Sequence, residues 1–164
     1  MTTDHSLSFK RFLTQDRPSR LFLRGLPVVI LAQLVVFKYL YPYASYIHGD
    51  SFSYLYTAQL NLNVNTYLAG YSRFLRLFSV FTTSDTALVV FQYLLLQASA
   101  LFFLFTLFYF YRPARWLQFG LLCFMVFNPL LLHLANLVSS DGLFLALSFI
   151  WFSLLLWIIH QPSW

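Results

Sequence analysis

The chain has 164 residues, of which 60% are hydrophobic, 21% aromatic and 9% charged. A soluble domain carries about 25% charged residues, so this composition excludes a water-soluble fold and reads as an integral membrane protein. The net charge is +5, and five of the ten basic residues (Lys10, Arg11, Arg17, Arg20 and Arg24) lie near the N-terminus. That placement fits a cytoplasmic anchor against anionic lipid and not a nucleic-acid-binding surface.

Residues 1–20 read as a polar, basic cytoplasmic tail whose Phe9, Phe12 and Leu13 touch the bilayer surface. No small-residue cleavage site follows an apolar core, so the segment is not a removable signal peptide. A first span is predicted over about 21–41, ended by Pro42 and followed by interfacial tyrosines. Arg24 snorkels inward from it, and Lys38 snorkels outward or finds an anion.

Residues 44–85 make an outer loop too long for a simple connection, which marks it as functional. Within it, Phe52, Leu55, Tyr56 and Leu60 fall on one helical face over 51–62, and Asn61, Asn63, Asn65 and Gly70 interrupt the pattern. Residues 71–81 then set Phe74, Leu75, Leu77, Phe78 and Phe81 against Arg73 and Arg76, predicting an amphipathic helix in the interface.

Thr82-Thr83-Ser84-Asp85 is a helix-start signal, with Asp85 read as a cap, and a second span follows over about 86–109. The basic turn Arg112-Pro113-Ala114-Arg115 is cytoplasmic by the positive-inside rule. A third span covers about 117–138, interrupted at Asn128-Pro129, and a fourth covers about 143–159. The fold class is thus all-α: a four-span bundle with both termini cytoplasmic and amphipathic helices in the first outer loop. Cys123 is the lone cysteine and cannot form an internal disulfide.

Beyond the tail the only acids are Asp50, Asp85 and Asp141, all on the outer side of this topology. Asp50 follows His48-Gly49 and precedes Ser51, with Tyr54 about one turn on. Asp50 fits a general base for transfer to a hydroxyl, but on the residues alone the favoured reading is that Asp50 or Ser51 caps the following helix. Arg73 and Arg76 suit phosphate oxygens or lipid headgroups. His133 lies near the outer end of the third span, where an ionisable group leans functional.

Several short elements occur in a familiar order: Asp50-Ser51 with Tyr54 and Ala58, Gly70-Tyr71-Ser72 with Phe74-Leu75, Gln92, Asn128-Pro129, and Ser140-Asp141. In this order the chain resembles the N-terminal part of the polytopic glycosyltransferase-C enzymes, in the style of protein mannosyltransferases and aminoarabinose transferases. Such enzymes have eight or more spans. The resemblance implies sugar transfer from a polyprenyl-phosphate donor on the extracytoplasmic face, in a bacterial inner membrane, with the acceptor open. It implies Asp50 as catalytic base; Tyr54, Arg73, Arg76 and His133 are then the candidate substrate-binding residues, on the chemistry of their own side chains. It also implies a divalent metal held by acids of this kind; Asp50, Asp141 and the neighbouring His48 are the candidate ligands. Two readings from other classes stay open: a non-enzymatic four-span assembly subunit, and a transporter component.

Overall fold

A computed structural model describes residues 8–64, 66, 67 and 69–160. Residues 1–7 of the predicted tail, the helix-interrupting Asn65, Leu68 and the C-terminal 161–164 lie outside the described residues. The elements are α1 (Phe9–Gln15), α2 (Arg17–Leu40), α3 (Asp50–Gln59), α4 (Gly70–Ser79), α5 (Asp85–Tyr111), α6 (Arg115–Val126), α7 (Pro129–Asn136) and α8 (Ser140–His160). No strand occurs among the described residues; one isolated parallel bridge joins Ser45 to Leu137.

Four stretches are long and apolar enough to cross a membrane: α2, α5, the α6–α7 pair and α8. The all-α, four-span reading therefore holds, with shifted boundaries. α2 starts four residues earlier than expected because Asp16 caps it, accepting from the Ser19 amide at 3.1 Å, and Pro18 occupies the first turn. The third span breaks at Asn128-Pro129, where proline lacks the N–H that would continue the helix. The Asn128 side chain restarts it by accepting from the Leu130 amide at 3.0 Å.

α5 is the central helix, with Leu96 and Ala100 fully buried. Ile30, Tyr93, Leu96, Val126, Leu131, Ala135 and Ala146 form the middle of the core. The closest approach of α8 to α7 needs Gly142, where a Cβ would meet the Leu134 carbonyl oxygen at 3.1 Å.

The bundle has a basic end and an acidic end. At the basic end α1 is folded inward: Phe9 packs edge-on against Phe102, Tyr109 and Trp157, and Phe12 against Tyr109. Phe9, Phe12 and Leu13 therefore meet a protein core cluster with Phe105 and Phe108, which the expected bilayer contact did not include. At the acidic end α3 and α4 lie over the ends of α5 and α8, joined to them by a cluster of Tyr54, Tyr71, Leu75, Leu88, Val89 and Val138. Lys38 finds an amide instead of an anion. Its Nζ donates to the Asn136 side-chain oxygen at 3.0 Å, and Asn136 donates in turn to the Tyr43 carbonyl and Ser45 Oγ.

Candidate functional site

The site begins with a turn that only glycine makes without strain. Gly49 has φ 93°, in the region disfavoured for side-chain-bearing residues, and it stands as N-cap of α3. A glycine cap has no side chain to satisfy the first turn, and no side-chain cap bond is made there. The buried Ser51 Oγ accepts from the Ile47 amide at 2.8 Å. Asp50 stands one residue after the cap and is not itself the cap. It occupies the first turn of α3, where a carboxylate is stabilised by the helix dipole, and it is half-buried.

The partner of Asp50 is Tyr67, from the irregular stretch between α3 and α4. A hydrogen bond to the Asp50 carboxylate, and then its charge, hold the exposed Tyr67 hydroxyl above its ordinary pKa. The Tyr67 ring lies 5.5 Å from Tyr54, and Tyr54 lies 5.0 Å from Tyr71. Tyr54 shares a 3.1 Å hydrogen bond with Ser140 at the start of α8. Beside it, Asp141 accepts from Ser139 Oγ at 3.1 Å, and that hydroxyl also receives the Asp141 amide. Ser139 is thus the cap, and the exposed Asp141 is a first-turn carboxylate.

Tyr71 anchors the other side. Its hydroxyl donates to Gln92 Oε1 at 2.7 Å, and Gln92 Nε2 donates to the carbonyls of Ala135 and Leu137 at 3.1 and 3.0 Å. Burial raises the Tyr71 pKa most, followed by Tyr54 and the charge of Asp141. One chain of contacts therefore links Asp50, Tyr67, Tyr54, Tyr71 and the Ser139–Asp141 turn across four elements.

Two groups above this chain are left without partners. Ser72 is fully buried, and its Oγ makes no hydrogen bond; the same is true of the buried Nε and Nη2 atoms of Arg76. Ser72 and Arg76 are four residues apart on α4 and so share a face. Guanidinium N–H groups held away from water without an acceptor are costly, which makes this face receptive to an anion.

The predicted residues divide. Asp50, Tyr54 and Asp141 are brought into one network, with Arg76 half-buried on the adjacent helix. Arg73, His48 and His133 are exposed, and Asn136, three residues after His133, is buried instead. Asp85 is no cap: Ser84 Oγ accepts from the Ala87 amide at 3.3 Å, while Asp85 accepts from the Tyr46 hydroxyl. Burial, then the hydrogen bond to Asp85, raise the Tyr46 pKa to about 12. A cavity of about 450 Å³ opens between α3, α4 and α5, and Asp85, not Asp50, is on its wall with Leu55, Leu75 and Phe78. Among the described residues no three of His, Cys, Asp or Glu are grouped closely enough to hold a metal ion. The metal stays an expectation of the resemblance. Tyr67 and Ser72 were not singled out as site residues from sequence; the readable signal for Ser72 was its i, i+4 spacing to Arg76.

Comparison with known protein families, curated proteins and solved structures gives no match.

Proposed function

We propose that the chain is a membrane glycosyltransferase, or the N-terminal half of one, that takes a sugar from a polyprenyl-phosphate donor at its acidic, extracytoplasmic end. The observation that carries this reading is the pair of buried, unpartnered Arg76 nitrogens, Nε and Nη2, with the Ser72 hydroxyl, one helix away from a carboxylate that is not the helix cap. A phosphate-linked donor asks for those two groups. Asp50 takes the proton of an acceptor hydroxyl as its oxygen bonds to the anomeric carbon. The carbon–oxygen bond to phosphate breaks, and the electron pair leaves with the phosphate, whose charge Arg76 and Ser72 hold. Tyr67 orients the Asp50 carboxylate, and Tyr54 supports Tyr67 from below. Arg73, being exposed, meets headgroups instead of the donor.

The test is transfer from a polyprenyl-phosphate sugar in membranes, with any further spans of the protein present. Asp50→Asn should lower transfer by roughly 10²–10⁴-fold with thermal stability nearly unchanged, because an amide takes no proton. Arg76→Lys should weaken donor binding while Arg73→Lys does not, since Lys keeps the charge and loses the planar fork. Full activity in Asp50→Asn, or loss of activity in Asp85→Asn in its place, would defeat the assignment.

A further inference from the structure

The basic end contains a second cavity, of about 230 Å³, enclosed by α1, the start of α2 and the α5–α6 turn. Its apolar wall is Phe12 and Phe108, and its polar wall is Arg112, Arg115, Gln118 and Asp16. The Asp16 carboxylate is already engaged by the Ser19 amide and hydroxyl, at 3.1 and 2.8 Å. Gln118 Nε2 is likewise engaged, donating to the Pro113 carbonyl at 2.8 Å. The two guanidiniums remain for a guest.

The backbone sharpens this. Arg112 ends α5 in the left-handed region, at φ 44° and ψ 54°. Glycine or asparagine fits that position with less strain than arginine. α6 starts at Arg115 with no side-chain cap from Ala114, so its first amides add positive potential to the same turn. An apolar wall under a mouth with two guanidiniums suits an amphiphilic anion better than a water-soluble one.

We infer that this cavity binds the phosphate of an anionic phospholipid of the adjoining leaflet, with Arg112 and Arg115 on the phosphate oxygens and the acyl side against Phe12 and Phe108. α1 closes the site, so the lipid holds the N-terminal helix against the bundle. The inference is independent of any chemistry at the acidic end.

The experiment uses the full chain in vesicles of phosphatidylcholine alone and of phosphatidylcholine with phosphatidylglycerol, reading the thermal unfolding midpoint. Phosphatidylglycerol should raise the midpoint by several degrees. Arg112→Gly and Arg115→Gln should each remove most of that increment. Lys10→Gln and Arg20→Gln remove the same charge from exposed positions outside the cavity and should keep it. Because the readout is the increment between two lipids, a change in basal stability of a variant does not obscure it. Equal loss in the pocket and surface variants would reduce the effect to general surface attraction and overturn the site. Inorganic phosphate added to phosphatidylcholine vesicles should give no increment; an equal one would overturn the lipid assignment.

Discussion

At the acidic end side-chain hydrogen bonds that cross between elements join the aromatic contacts in tying the helices, whereas at the basic end aromatic rings do most of that work. Tyr71, Gln92 and the carbonyls of α7 and its exit form the first kind of tie. Phe9, Tyr109, Phe110 and Trp157 form the second, with Trp157 stacked on Tyr109 at 5.6 Å. The same spans α5 and α8 run through both. Rings contribute area and tolerate small displacements, while a hydrogen-bond chain fixes positions and penalises any missing member. A candidate reaction centre needs the second property, and an anchor to the bilayer needs only the first.

The widest separation should come from truncating each type of tie. Phe108 is almost fully buried at the basic end, so Phe108→Ala should cost about 3–5 kcal/mol of stability by leaving a cavity. The proposed transfer activity, per folded molecule, should stay near that of the parent. Gln92→Leu keeps most of the volume yet orphans the Tyr71 hydroxyl and two carbonyls, so about 1–3 kcal/mol should be lost per group that stays dry. Here activity should fall as well, because Tyr71 supports Tyr54. Reversible unfolding in mild detergent, paired with the transfer assay, reads both; equal loss of activity in the two variants would erase the contrast.

Gly142→Ala should cost about 1–3 kcal/mol, since the added methyl meets backbone at the α7–α8 contact. Unchanged stability would mean that α8 shifts freely, and with it Ser140 and Asp141. The smallest effect is the titration of Tyr46. With its pKa raised from 10.0 to about 12, the folded state holds this proton more tightly than the unfolded one. Its contribution is full below pH 10 and is lost as pH rises through about 12. Ultraviolet titration should show Asp85→Asn ionising Tyr46 earlier than the parent. Sidedness has its own check: a cysteine at the exposed Thr83 should react with an impermeant thiol reagent from outside, and one at Ala114 should not.

The four spans were readable because long apolar runs have few alternatives in water or lipid. Thr82-Thr83-Ser84 announced α5, and Asn128-Pro129 announced the break, through chemistry local to a few residues. α1 was harder. Its apolar residues could face lipid or protein, and periodicity does not distinguish the two. Tyr67 was hidden for another reason: it lies in a stretch without period, and only the folding of α4 back over α3 brings it to Asp50. The Asp50 carboxylate itself was readable as either cap or base. The structure answers only the first: Gly49 is the cap and Asp50 the first-turn carboxylate behind it.

The tie between Lys38 and Asn136 spans 98 residues of sequence. The segment around Ser45 is bonded into the same place, receiving at its carbonyl the Val138 amide and donating to the Asn136 carbonyl, both at 2.9 Å. A ribosome adding about 5–20 residues per second needs roughly 5–20 s to deliver that partner. During this interval the first span has left the ribosome with an ammonium near its far end and no asparagine to receive it. Membrane insertion and assembly are therefore separated in time for this helix.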